Sequence, residues 1–248
     1  MSEAASLTRL ATRVTAIEDA THDVRILRLA VAGGAPFPFK AGQYARLVFG
    51  DLPPRDYSMA SRPDEKLLEF HIRNVGDGAS GYVAHRLMPG ETVGIEGPLG
   101  EAHLRAEHAG PIIAIAGGSG LAPIKSIVET ALAKPRNHPV QLYFGARDER
   151  DIYLERRLRG LEAAHALFRF VPVLSEPSRP TARRQGLVGD AVAADFHSFA
   201  GTKAYLAGPP AMVEAAIEML IARGLSPSDI HADPFYSEEE NRRRRGLG

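Results

Sequence analysis

Cysteine is absent from the 248 residues. That excludes disulfides, a thiol nucleophile, thiolate zinc sites and any cysteine-bound iron–sulfur cluster within this chain, so redox chemistry here needs a borrowed cofactor. Net charge is lacking too: 30 basic residues against 30 acidic ones create no global field to attract nucleic acid or an anionic membrane, and charge recognition must be local. No run approaches the roughly eighteen apolar residues of a membrane span. The N-terminus "MSEAASLTRLATR" has no apolar signal core, and a cytoplasmic location is expected. The nine histidines include no H-E-x-x-H or similarly spaced pair, so no metal site is expected. Repeats and low-complexity linkers are also missing. The remainder, 44% hydrophobic and 24% charged, is ordinary globular composition, long enough for one large domain or two modest ones.

Two rhythms divide the chain. From Ala11 to Gly100 short β-type runs are separated by turns: "RVTAIED", "VRILRLAV", "QYARLVF", "DYSMAS", "LLEFHIRN" and "TVGIEGPLG". Six such runs predict a small antiparallel β-barrel. One helical insert, Ala79 to Met88, has Gly78 or Ser80 placed to begin it and Pro89-Gly90 to end it. Beyond the polar stretch "EAHLRAEHAG", continuous apolar strands ("PIIAIAGG", "VQLYFGA", "FRFVPVL", "KAYLAG") alternate with amphipathic helices. In the first of these helices Ile124, Ile127, Val128, Ala131 and Leu132 form one stripe, and in the last Met212, Val213, Ala216, Ile217 and Leu220 do so before Gly224. Strand and helix alternating this way predict a doubly wound α/β domain with a parallel sheet. The expected boundaries are 1–105 for the barrel, 106–236 for the α/β part and 237–248 for a charged tail.

Three stretches carry candidate chemistry. In "PRDYSMAS", alternation sets Arg55 and Tyr57 on one face of a strand and Ser58 on the other; by itself this also suits a solvated edge strand. The turn Gly117-Gly118-Ser119-Gly120-Leu121-Ala122-Pro123 joins the first parallel strand to its helix, where backbone N–H groups and the positive helix end meet anions. It does not match the dinucleotide fingerprint, whose third glycine would fall on Pro123. It does not match a phosphate loop, which requires glycine where Ile124 stands, nor a nucleophile elbow, which requires glycine at Leu121. Close backbone approach to a ligand survives as its reading, beside a purely structural turn. The third stretch, Ala207-Gly208-Pro209-Pro210, ends another parallel strand and would face the same crevice.

Taken together, "RDYS", "GGSGLAP" and "AGPP", with "FKAGQY", "GPLG" and "HADPFY", resemble the ferredoxin–NADP reductase superfamily. The resemblance runs from about residue 10 to Tyr236, and within the family it is greatest to the reductase components of bacterial ring-hydroxylating and other multicomponent oxygenases. It implies a flavin on the barrel, FAD ahead of FMN, with Arg55 on its phosphates, Tyr57 flat on its ring and Ser58 hydrogen-bonded near N5. It further implies that His71, Ile72 and Arg73 lie along the flavin, and that Gly78, Ala79 and Ser80 offer amides to its pyrophosphate. For the nicotinamide nucleotide it implies Gly117, Gly118, Ser119, Gly120 and Pro123 at the pyrophosphate and Gly208, Pro209 and Pro210 at the nicotinamide end. Arg147 and Ser175 fall where the family contacts the adenosine part, although both also suit a plain surface. Phe235 or Tyr236 would cover the flavin face, or else pack as the end of a terminal strand. Tyr57, Ser58 and Phe235 are the candidates closest to the chemistry. Ala207 departs from the pattern, since many relatives carry cysteine there.

The implied activity is NAD(P)H oxidation through FAD, with electrons passed singly to a separate ferredoxin or oxygenase iron–sulfur component. NADH is expected ahead of NADPH, because the only cations available for a 2′-phosphate are Arg147, Arg179, Arg183 and Arg184. The alternatives are a free-flavin or quinone reductase on the same fold and a non-catalytic flavin- or nucleotide-sensing subunit. Arg242 to Arg245 in the tail suit either a solvated end or the docking of an acidic partner.

Overall fold

The computed structural model describes residues 8–135, 137–237, 240 and 243. Strands β1 (Thr8–Asp19), β2 (Val24–Val31), β3 (Tyr44–Val48), β4 (Arg55–Ser58), β5 (Leu67–Arg73) and β6 (Thr92–Leu99) form one antiparallel sheet in the order β4-β3-β6-β1-β2-β5. Beyond Ser58 the chain continues into a bridge between Met59 and Phe70 of β5, and the Ala60 amide donates to the Glu69 carbonyl at 2.7 Å. That bridge brings the two edges together, so the sheet curls into a nearly closed barrel and leaves little edge exposed. Alternation supplies the interior: Leu27, Leu29, Leu47, Met59 and Phe70 are all fully buried.

Helix α1 (Ala79–His85) starts from Gly78, whose φ of 90° suits glycine. It ends three residues before the expected Met88, because the amides of Arg86 and Leu87 both turn back onto the Tyr82 carbonyl. Val83 and Leu87 plug the barrel core from this insert.

The second half is a six-stranded parallel sheet in the order β10-β9-β8-β7-β11-β12, from β7 (Ile112–Gly117), β8 (Val140–Ala146), β9 (Phe168–Leu174), β10 (Arg184–Gln185), β11 (Lys203–Gly208) and β12 (Ile230–Pro234). Helices α2 (Leu121–Leu132) and α3 (Glu155–Ala164) contribute to the core on one face, and α4 (Val188–Asp195) and α5 (Pro210–Ala222) to the core on the other. The doubly wound expectation holds. The edge strand β10 was not anticipated, being only two residues of pairing with Val173 and Leu174. Helix α3 begins later than the helical run "DIYLERRLRGLEAAHA" predicts, since a short turn capped by Asp148 and Asp151 precedes it and Leu154 sits at φ 57°.

Strand order reverses at β7, with β8 on one side and β11 on the other. Ligands in open α/β sheets gather at such a switch point, outside the carboxyl ends of the strands. The barrel lies against this end: its Val24 and Ala41 belong to the same apolar cluster as α2 and β7. Among the described residues no helix is long and apolar enough to cross a membrane.

Phe70→Ala should cost about 3–5 kcal/mol, the usual loss for a buried phenylalanine, because the ring fills the barrel beside its closing bridge. Urea unfolding of the variant against wild type measures this.

Candidate functional site

The glycine turn is shaped first by the protein's own backbone. A Cβ on Gly120 would stand 2.1 Å from the Ala207 carbonyl oxygen, and one on Gly208 would stand 2.7 Å from the Gly117 carbonyl oxygen. A Cβ on Gly117 would meet the Met212 sulfur at 2.5 Å. The ends of β7 and β11 therefore interlock, and these three glycines leave the room that this contact needs. Gly118 differs: at φ 54° it needs glycine's freedom, and its open side faces the Arg73 guanidinium, 3.2 Å from where a Cβ would be. Ser119 lies half-buried in the same turn, and Pro123 stands in the first turn of α2, where no amide donor is required.

Arg73 comes from the barrel and is held over this turn by Asp23, Nε to Oδ2 at 2.7 Å. Burial would raise the Asp23 carboxyl, but Arg73 and Thr21 outweigh it and hold it below the ordinary range. Two other sequence candidates on the same strand face elsewhere. Ile72 packs in the barrel core, and the His71 ring is taken up by Glu69 at 3.1 Å and the Tyr153 hydroxyl at 3.0 Å. Only their backbone is left to meet a ligand.

On strand β4, Arg55 and Tyr57 are both half-exposed. Arg55 reaches the Pro54 carbonyl at 3.0 Å, and Tyr57 meets Phe49 edge to face, with ring centroids 6.4 Å apart. Burial pushes the Tyr57 phenol up to about 12, so it stays neutral. Ser58 is buried, and its hydroxyl lies 3.5 Å from Asp233 Oδ2 on β12, linking the two halves. Burial raises the Asp233 carboxyl to about 6, against the pull of Ser58.

On the outer side of α1, a cavity of about 280 Å³ is lined by Asn74, Gly76, Asp77, Gly78, Gly81, Tyr82, His85 and Arg86. The loop leading into it is folded back by the Ser80 hydroxyl, which accepts from the Val75 amide at 3.3 Å; Ala79 is buried beside it. Across the sheet, Phe235 packs on the α2-side core and its amide donates to the Gly208 carbonyl at 2.9 Å. Tyr236 donates its hydroxyl to Glu214 on α5 at 2.7 Å. Arg147 and Ser175 lie exposed after β8 and β9, joined by the Ser175 amide to the Ala146 carbonyl. Pro209 caps α5 and Pro210 opens it.

Known proteins match this arrangement half by half. Residues 11–104 match the oxidoreductase FAD-binding domain and residues 114–218 the oxidoreductase NAD-binding domain. The ferredoxin–NAD(P)+ reductase component of the naphthalene 1,2-dioxygenase/salicylate 5-hydroxylase systems of Ralstonia sp. is 48% identical over 226 residues, 90% of this chain and 68% of that one. The chain belongs to the FAD- and NAD-binding oxidoreductase family. Its relatives there include the naphthalene 1,2-dioxygenase reductase component of Pseudomonas putida, 43% identical over 90% of this chain and 68% of its own. In structure, the Amycolatopsis cytochrome P450 reductase GcoB superposes with a TM-score of 0.86 at 40% identity, over 92% of this chain and 70% of that one. The chain thus spans about two thirds of the length of these oxidoreductases.

Asp233 is the site residue that sequence reasoning passed over. Its signal lay in "HADPFY", where period-two alternation puts His231, Asp233 and Phe235 on one face of the last strand. Strand register sets Ala207 beside it, with Ala207 itself only 1% exposed. The Arg242 to Arg245 run lies outside the described residues apart from Arg243.

A raised carboxyl makes stability depend on pH. Asp233 takes up its proton near 6 when folded and near 3.8 when unfolded, so its stabilising contribution is complete below about 4 and is lost as pH rises through about 6. Between pH 4 and 7, wild type should lose melting temperature relative to Asp233→Asn, which keeps a hydrogen-bonding side chain beside Ser58. Parallel melting curves of the two flavin-free proteins would show the difference vanish if Asp233 titrates normally.

Proposed function

We propose that this chain is the flavin-bearing reductase of an oxygenase system, taking electrons from NADH through FAD and passing them singly to a separate ferredoxin or oxygenase iron–sulfur component. The observation that carries the reading is the Ser58–Asp233 contact, which joins the flavin-side strand to the end of the nucleotide-side sheet directly opposite Ala207. The names of the relatives, reductase components of oxygenase systems, support the kind of partner. FAD, when bound, supplies the chemistry that accepts electrons as a pair and releases them one at a time.

The residues present fit that cofactor. In this reading residues 1–105 hold the flavin: the Arg55 fork suits its phosphates, the half-exposed Tyr57 face suits its flat ring, and Gly78 to Ser80 offer amides beside the 280 Å³ cavity. Ser58 would donate a hydrogen bond at the reactive edge, while Asp233 behind it can hold a proton below about pH 6. Residues 106–236 hold the nucleotide, with Gly118 and Ser119 under its pyrophosphate and Arg73 above them as a counter-charge from the barrel. Pro209 and Pro210 stiffen the turn at the nicotinamide end, and Phe235 excludes water from the face that the nicotinamide must reach. The protein's share of the work is alignment and exclusion of water, because transfer between two cofactors requires no protein acid or base. We place this activity in the cytoplasm, where its nucleotide is supplied.

Preference for NADH follows from charges already committed. Arg183 is held by Glu155 at 2.7 and 2.9 Å and by Glu149 at 2.6 Å, and Arg184 by Asp195 at 2.5 Å. Asp148, tied to the Ser178 hydroxyl at 2.7 Å, adds a carboxylate next to Arg147. Two of the four candidate arginines are thus already paired, which leaves a weaker cation cluster for a 2′-phosphate.

Two outcomes test the reading. Wild type should purify yellow with about one FAD per chain, and Arg55→Ala should lose flavin on dilution through removal of a charge-assisted contact of roughly 1.5–3 kcal/mol; equal retention rejects the role of Arg55. Steady-state assays with a ferredoxin acceptor should favour NADH over NADPH in kcat/KM by about tenfold or more, the equivalent of one such contact. A preference for NADPH would reverse the argument from Arg183 and Arg184.

A further inference from the structure

A buried polar cluster lies where α2 meets the barrel, and none of the roles above uses it. Lys125 is 2% exposed, and its Nζ donates to the Ala60 carbonyl at 3.0 Å and lies 3.2 Å from Glu69 and 3.4 Å from Glu129. The next residue, Ser126, is fully buried and donates to the Ser61 carbonyl at 2.6 Å. Glu69 also receives Arg28 at 3.0 Å and His71 at 3.1 Å, and Arg157 from α3 clasps Glu129 at 2.6 and 2.8 Å. The other nitrogen of His71 meets the Tyr153 hydroxyl, which is 3.5 Å from the Gly118 carbonyl. Every member is paired within the cluster.

The places that these bonds join are informative. Ala60 and Ser61 continue the strand that carries Tyr57 and Ser58. Lys125 and Ser126 sit one turn into the helix that leaves the glycine turn, and Tyr153 reaches Gly118 in that turn. An apolar contact of the same volume would be at least as stable but would tolerate sliding, whereas directional bonds to two successive carbonyls define one register. We propose that Lys125 and Ser126 are positioning residues: with His71 and Tyr153 they form a rigid strut that sets the spacing between the flavin strand and the nucleotide turn, and through it the approach of nicotinamide to flavin. The proposal rests on the reading of this cleft as the flavin–nicotinamide site. Reaction between aligned groups is steep in distance, with about 1 Å of misplacement costing on the order of a hundredfold in rate.

The test uses the full flavin-loaded chain and two variants. Ser126→Ala removes one bond and no charge; Lys125→Met with Glu69→Gln removes the central pair together and leaves no lone buried charge. Hydrogen exchange without nucleotide should quicken across residues 58–71 in both. In stopped flow, the nicotinamide–flavin charge-transfer absorbance should weaken and flavin reduction should slow about tenfold, while flavin content stays at the wild-type level and NADH affinity changes by less than about threefold. If the double variant does not fold, Ser126→Ala decides alone. Unchanged exchange, or reduction at the wild-type rate with an unchanged charge-transfer band, overturns the strut. A wild-type chain that holds no flavin fails differently, because it defeats the reading of the cleft before any variant is compared.

Discussion

Two βα turns pass within van der Waals distance of each other where Gly117, Gly120 and Gly208 meet, and the rest of the site is laid out from that contact. No side chain fits at Gly120, which faces the Ala207 carbonyl, or at Gly208, which faces the Gly117 carbonyl. Because the turns are so close, α2 starts directly beside the end of β11, and β12 runs alongside in parallel register. The first consequence is that α2 points its Lys125 and Ser126 at the barrel. The second is that Asp233, opposite Ala207, arrives at Ser58. Relaxing the contact by one methyl group would move both.

The joint between the two halves is mixed in character. Apolar packing continues through it, with barrel residues Val24 and Ala41 inside the cluster built on α2. At its centre, however, Glu69 carries buried charge. Burial would raise that carboxyl, yet His71 and Lys125 outweigh the effect and hold it well below the usual range. Burial likewise pushes the His71 imidazole down, with one ring nitrogen against Glu69 and the other against the Tyr153 hydroxyl. Such a cluster adds little net stability, because desolvation offsets most of the attraction, but it favours one arrangement over its neighbours. Asp233 shows the opposite case: with a single weak partner, burial wins and its carboxyl is raised. The two carboxylates at one interface are thus shifted in opposite directions, the one with several cationic and hydrogen-bonding partners down and the one with a single distant hydroxyl up.

Much was legible in the chain itself. Period-two runs announced all six barrel strands, and apolar strands alternating with striped helices announced the parallel sheet, because these patterns record which faces must leave water. The turn residues 117–123, the short helix after Gly78 and the stop at Gly224 were equally plain, since backbone conformations that only glycine or proline favours leave their mark locally. Absence of cysteine limited the redox chemistry before any coordinates were known. What only the tertiary structure decided is which partner each residue meets. Gly117, Gly120 and Gly208 make room for another stretch of backbone; the ring of His71 is drawn into the joint; Lys125, inconspicuous on a helix, becomes the centre of a buried cluster; and Asp233 is brought from the last strand to Ser58, 175 residues earlier. Local sequence encodes periodicity and backbone preference over a few residues, whereas burial, charge pairing and titration depend on neighbours supplied by distant segments, and those exist only once the chain has closed on itself.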